Sequence, residues 1–237
     1  MEETAQTPSA KLPMTPVLIT AATKWEAQPL AKGLGLSPAG DGRWEGTVGG
    51  RRTVLVKTGM GAIKTSAVLG KDFVAGDYGL VLSAGLCGAM NPDVHLGDIV
   101  ADSAEVEMDF VRPLRETAKA LGIPFHFGRI LHTNIVLKPE MKRKLGVEQR
   151  AVACDMETAA VRRWASPQTA AMGVRVVLDE LDEELPSDAP QGEDAASLAK
   201  FALTHAAGLP GLIGMGLRTG RAMKTLSRYL KTYLEAI

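Results

Sequence analysis

Short apolar runs rich in β-branched residues recur along this chain, and helical patterns separate most of them. That alternation restricts the possible folds more than any other feature. "PVLITAAT" (16–23) precedes "KWEAQPLAKGLG", which turns helical and is stopped by Gly33 and Gly35. "RWEGTVGGRRTVLVKTGMG" (43–61) predicts a hairpin: one strand, a Gly-Gly turn at 49–50, then "TVLVKT". "AIKTSAVLGKDFV" predicts a helix, and "YGLVLSAGLCGA" (78–89) a buried strand running into a Gly-rich loop. Further strands are expected in "LGDIVADSAEVEM", "FHFGRILHT" (125–133), "RAVACDME" and "GVRVVLDE" (173–180). Helices are expected at 113–122, in "KPEMKRKLG", in "TAAVRRWA", and over 192–207 and 209–236. The alternation predicts an α/β fold, a single domain with a central mixed β-sheet flanked by helices.

The 237 residues, 46% hydrophobic and 23% charged, suffice for one sizeable core. The expected division is a polar, disordered leader over 1–15, a domain over 16–207, and a C-terminal amphipathic helix over 208–237. The formal net charge of zero gives no general pull toward nucleic acid. Cys87 and Cys154 stand in unrelated contexts and read as buried thiols in a reducing compartment, without a disulfide framework or metal spacing. The histidines are scattered and no P-loop pattern is present, so no metal and no cofactor are expected. No apolar run reaches the roughly 18–20 residues of a membrane span. The N-terminus lacks a signal-peptide pattern, and the expected location is cytoplasmic.

Carboxylates fall where buried strands should end. Asp155 and Glu157 flank Met156 in "CDMETAAVRRWA", and Asp179 follows the apolar run of "GVRVVLDELDEE". In α/β sheets ligands bind beyond the carboxyl ends of the strands. Thr20 to Glu26, Ser83 to Gly88, Asp155 to Glu157, and Asp179 all lie at such ends. The acidic, Pro-containing segment 179–194 is long enough to be a lid or plain disorder.

Five stretches in this order, "VLITAATKWEA", "VKTGMGAIKTSAVLG", "SAGLCGAMNPDVHLGDIV", "VACDMETAAV" and "VRVVLDELDE", resemble the nucleoside phosphorylase/nucleosidase superfamily over roughly 16–207. The resemblance implies cleavage of the N-glycosidic bond of a purine nucleoside through an oxocarbenium-like transition state. It implies that Asp179 donates a proton to purine N7, which needs a raised pKa. It also implies that Glu157 binds the ribose hydroxyls while Met156 packs on the sugar face. Glu26 would activate water, with Arg175 beside it and the ribose. Gly85, Leu86, Cys87 and Gly88 would form a glycine loop under the ribose, and the segment around Asn134, Ile135 and Val136 would form the base pocket. Without the resemblance, Asp179 reads as a cap in an acidic segment, Glu26 as a solvated helix residue, and Met156 as core. Asp155 reads as structural.

The first loop, "TAATKWEA", has neither Gly nor Arg, and "SAGLCGAM" has no Arg, so water is favoured as nucleophile. Against this, "KTGMG" is phosphorylase-like, and Lys57 or Lys64 could help an anion, so phosphate stays open as a co-substrate. The short stretch before "DMET" resembles the hopanoid-associated phosphorylases, implying adenine release from adenosylhopane. "AATKWEAQPL" also resembles futalosine hydrolases, and a methylthioadenosine/S-adenosylhomocysteine nucleosidase is a further alternative. A non-catalytic nucleoside-binding protein is the alternative of another class. The family implies a homodimer. Within 209–237, Leu212, Met215, Leu217, Met223, Leu226, Leu230, Tyr233 and Leu234 approximate one apolar stripe beside Arg218, Arg221, Lys224, Arg228 and Lys231. Such a helix either packs on its own domain or a partner subunit, or lies on an anionic membrane surface close to a lipid-linked substrate.

Overall fold

The described chain, residues 14–40, 42–102, 108–184 and 209–237 of a computed structural model, runs from β1 (Val17–Ala21) through α1 (Lys24–Leu34) into a meander of β2 (Ser37–Gly40), β3 (Arg43–Val48) and β4 (Arg51–Lys57). There follow α2 (Ala62–Asp72), β5 (Leu80–Ala89), β6 (Ile99–Asp102), α3 (Met108–Leu121), β7 (Phe125–His132) and α4 (Pro139–Gln149). The last elements are β8 (Ala151–Asp155), α5 (Thr158–Ala165), β9 (Ala170–Asp179) and α6 (Leu209–Ala236). Residues 1–13 of the leader expected over 1–15 and the helix expected over 192–207 lie outside the described residues, as does most of the 179–194 segment.

β1 is buried along its whole length and needs cover on both faces. Val17, Ile19 and Ala21 join a core completed by α1, α3 and α6. Leu18 faces the other way, onto Leu69 of α2 and Val161 and Ala165 of α5. The sheet is mixed, in the order β2-β3-β4-β1-β5-β8-β7-β6-β9, and β9 also pairs with β5. The strands β5, β8, β7, β6 and β9 therefore close into a ring. The long β5 makes this possible: it runs parallel to β1 and β9 and meets β8 antiparallel at Gly88 and Ala89.

Three readings of the sequence change here. Gly85 to Gly88 belong to strand β5, not to a loop, because β8 and β9 take up their backbone groups. β9 begins at Ala170, where Ala170 and Ala171 pair with Leu80 and Val81. β2 went unseen because "SPAG" is exposed at every position and carries no apolar alternation.

The described apolar stripe of α6 packs on its own domain. Met223, Leu226, Tyr229, Leu230, Tyr233 and Leu234 are buried in the core that contains Ile19 and Leu30. The helices α1 and α6 approach closely at Gly33, where a Cβ would stand 2.4 Å from Ser227 Cβ. Tyr229 donates its hydroxyl to the Leu114 carbonyl at 2.8 Å. Arg218, Arg221, Lys224, Arg228 and Lys231 stay exposed, as does Leu217. The side chain of Leu212 lies outside the described ones. No helix among the described residues is long and apolar enough to cross a membrane.

Candidate active site

Glu26 is oriented by the start of its own helix. Thr23 caps α1 in a reciprocal box: Thr23 Oγ1 accepts the Glu26 N–H at 3.3 Å, and Glu26 Oε2 accepts the Thr23 N–H at 2.9 Å. The other oxygen, Oε1, accepts the N–H of Leu86 from β5 at 2.9 Å. A helix residue that the sequence alone leaves solvated is therefore buried, with its carboxylate fixed against the sheet.

Two glycines of β5 create the room for charge. A Cβ at Gly85 would lie 2.3 Å from Glu26 Oε1 and 2.8 Å from Arg175 Nη1. A Cβ at Gly88 would lie 2.9 Å from Asp179 Oδ2. Gly85 is in register with Arg175 of β9, and Gly88 with Asp179. The strand is thus a floor over which two β9 side chains and Glu26 fold.

Arg175 is fully buried and tied on one side. Its Nη2 pairs with Asp155 Oδ2 at 2.5 Å, donates to Ser83 Oγ at 2.6 Å, and lies 3.5 Å from Glu157 Oε2. Asp155 also accepts the Thr158 N–H at 3.1 Å, satisfying the start of α5, so its role is to hold Arg175 and the helix together. Arg175 Nη1 has no hydrogen-bond partner among the described residues. A buried guanidinium donor left open above Gly85, beside Glu26, calls for an oxygen acceptor such as water or a ligand group.

Glu157 stands at the N-cap of α5 but does not cap it. Its Oε1 instead accepts the Gly61 N–H across the site at 2.8 Å. Burial pushes its carboxyl up to about 7, against the pull of the Arg175 charge. Asp179 ends β9 and is also raised, chiefly by burial, with Lys142 drawing it back down. Lys142 comes from α4, is 1% exposed, and forms an ion pair with Asp179 Oδ2.

These groups surround a cavity of about 220 Å³. Glu26, Leu86, Cys87, Gly88, Ile135, Val136, Met156, Glu157 and Asp179, all expected at the site, line it together with Met60, Leu137 and Lys142. Gly85 and Arg175 lie behind the wall and act through Glu26, Asp155 and Glu157. Ile135 and Val136 are 66% and 53% exposed, which makes them rim rather than enclosure. Asn134, Lys24, Lys57 and Lys64 are not among the lining residues. Burial pushes both thiols up, Cys154 to about 12, so neither offers a thiolate. No cluster of three or more metal-ligating side chains occurs among the described residues.

Residues 16–119 match the model of the phosphorylase superfamily. Among solved structures, the 5′-methylthioadenosine/S-adenosylhomocysteine nucleosidase of Campylobacter jejuni superposes with a TM-score of 0.71 at 16% identity, covering 94% of this chain and 100% of that one. The chain has the phosphorylase/nucleosidase fold. A mutant of the corresponding Helicobacter pylori enzyme, with 5′-methylthioadenosine in its active site, gives the same TM-score, with 94% and 99% covered at 16% identity. The futalosine hydrolase of Helicobacter pylori follows at 0.69 and 17% identity, again covering 94% and 99%. Among curated relatives, the DeoD-type purine nucleoside phosphorylase of Streptococcus uberis is 25% identical over 174 residues, 64% of this chain and 72% of the relative.

Lys142 is the charged residue of the site to which the sequence does not point, as Met60 and Leu137 are apolar ones. It is one of several cations in "KPEMKRKLG", and no charge or spacing among them marks it as the one that turns inward. The accessible signal was Gly146, one turn later on the same face. A Cβ there would lie 2.3 Å from the carbonyl oxygen of Met90, the residue after β5, so the glycine lets α4 approach the end of that strand closely.

Proposed function

We propose that this protein is an enzyme that cleaves the N-glycosidic bond of a 5′-substituted purine nucleoside, with water as nucleophile. The reading is supported above all by Glu26. Its carboxylate takes the Leu86 N–H and stands beside the open Nη1 of Arg175, over the glycine floor. A cavity water held by this carboxylate, with Arg175 behind it, is oriented and made more basic. A phosphate dianion in the same place would face a carboxylate. Among the described lining residues the cation is Lys142, whose donors are already taken by Asp179 and the carbonyls of Glu180 and Glu183.

In this reading the purine lies against Asp179, whose carboxyl, raised by burial, donates to N7 as the bond breaks. Glu157 accepts hydrogen bonds from the ribose hydroxyls, which strengthen as positive charge grows on the sugar. Met156 packs on the sugar face. The neutral thiols of Cys87 and Cys154 serve as apolar wall.

The 5′ group would lie toward the apolar mouth formed by Met60, Ile135, Val136 and Leu137. That lining suits a hydrocarbon substituent, and we take the substrate to be an adenosyl lipid of the hopanoid type, which yields adenine and a ribosyl lipid. A methylthioadenosine/S-adenosylhomocysteine nucleosidase or a futalosine hydrolase is the second reading, favoured by the structural neighbours. The family resemblance adds a homodimer, which Trp25 at the start of α1, 52% exposed, would help to seal. Any contact with an anionic membrane would rest on the basic side of α6, since the described part of its apolar stripe is used in the core.

The test is purine release from methylthioadenosine, S-adenosylhomocysteine, futalosine and a 5′-alkyl adenosine. Release abolished by Asp179→Asn supports a nucleosidase, and the preferred 5′ group selects the branch. Purine bound without turnover on any substrate would replace the enzyme with a nucleoside-binding protein.

A further inference from the structure

Lys142 sits where an uncompensated charge would be expensive, and every donor it has is used. Its Nζ pairs with Asp179 Oδ2 and donates to the carbonyls of Glu180 at 2.8 Å and Glu183 at 3.1 Å. An ammonium carries three N–H groups. With three acceptors in place, none is left for a ligand, although Lys142 borders the cavity. Any effect it has on chemistry therefore passes through Asp179. The pairing uses one carboxyl oxygen of Asp179. Among the described residues no donor takes the other, Oδ1, so it is the oxygen available to a bound base.

We propose that Lys142 is a positioning residue for proton delivery: it holds Asp179 by Oδ2, presents Oδ1 to the purine, and stabilises the carboxylate left after Oδ1 has given up its proton. This rests on the reading of Asp179 as the acid. The step balances within the pair. Before it, Asp179 is protonated on Oδ1 and Lys142 is an ammonium. As the C–N bond breaks, its electron pair goes to the base and the Oδ1 proton moves to N7. The site keeps a carboxylate bonded to an ammonium.

The surroundings single out Lys142 for this task. Glu183, in the loop after β9, works on Asp179 in the opposite sense, and the facing thiols, Cys87 of β5 and Cys154 of β8, are neutral. Lys142 is thus the cation that opposes the burial of this carboxylate. It makes Asp179 a stronger acid than its apolar setting alone would allow. The same ammonium ties residues 180 and 183 to α4. A purely structural clasp is the competing role, and the two are separable by pH.

The experiment measures kcat and KM for purine release against pH in the wild type, Lys142→Met, Lys142→Arg and Asp179→Asn, with thermal melting of each. A general acid must be protonated to act, so activity falls as pH rises through the Asp179 pKa. Lys142→Met is expected to move that alkaline limb upward by about 1–3 pH units, as for loss of an opposite charge in contact. Its plateau kcat is expected to fall about 10-fold or more, with KM little changed, because a weaker acid transfers its proton less readily. Lys142→Arg keeps the charge and is expected to keep the limb near its wild-type position. If Lys142→Met does not fold, Lys142→Gln replaces it with the same expectations. A neutral variant that melts lower but keeps the wild-type limb and kcat would overturn the proposal and leave only the clasp. Full activity in Asp179→Asn would instead overturn the reading of Asp179 itself, whatever the lysine variants do.

Discussion

Glu26 Oε1 accepts the backbone N–H of Leu86 at 2.9 Å, so a main-chain donor that could have served an anion is already held by an acid. This single bond joins α1 to the floor of the cavity. It predicts that Glu26→Gln, which keeps the shape but not the basicity, lowers kcat by about 10²–10⁴-fold, the usual range for a lost general base. Substrate binding should survive, and equilibrium binding of a non-cleavable nucleoside analogue checks it.

Gly85→Ala should damage both the site and the fold. The new methyl would enter the space of Glu26 Oε1, which is held by the Leu86 N–H, and of the buried Arg175 Nη1. We expect a loss of about 1–3 kcal/mol in stability, as for overpacking of a filled core, with activity lost together with it. Denaturant unfolding of the variant measures the first, and purine release the second.

Glu157 should make the protein less stable as pH rises. Its folded pKa, about 7, lies above the ordinary 4.5. Between those values the native state holds more protons than the unfolded chain, so stability is fully present below about 4.5 and falls as pH rises through about 7. The loss attributable to this group is about 3 kcal/mol. Glu157→Gln should flatten the dependence over that window, as read by unfolding at pH 5 and pH 8.

The C-terminal helix should behave as core. Leu230→Ala is expected to cost about 2–5 kcal/mol, the range for a buried leucine truncated in a packed interior. Removal of 209–237 should unfold the domain rather than yield a folded, membrane-inactive form, since Met223, Leu226, Tyr229 and Tyr233 would leave with it. Circular dichroism and thermal melting of the truncated chain check this.

Much of this structure is legible in the chain, and the illegible parts share a cause. The runs at 17–21, 80–84 and 173–179 announce themselves because a strand covered on both faces must be apolar almost throughout. The acids at 26, 157 and 179 stand out against those runs. Lys142 does not, because burial of a lysine depends on where a different element ends. Only the approach of α4 at Gly146 and the position of Asp179 turn that residue inward. The glycines of β5 look like a loop for a related reason. Their small size reflects side chains arriving from β9 and α1, which no local pattern encodes. The two faces of α6 are plain in sequence, but whether the apolar one meets protein or lipid depends on elements far away along the chain, such as α1, which approaches it closely at Gly33.

The most direct test of the central claim is the fate of the sugar carbon. The wild-type protein would cleave its best 5′-substituted purine nucleoside in ¹⁸O-labelled water, with and without phosphate. Hydrolysis through Glu26 predicts a free sugar carrying ¹⁸O at C1 at a rate independent of phosphate. A sugar 1-phosphate, formed only when phosphate is present, would contradict it.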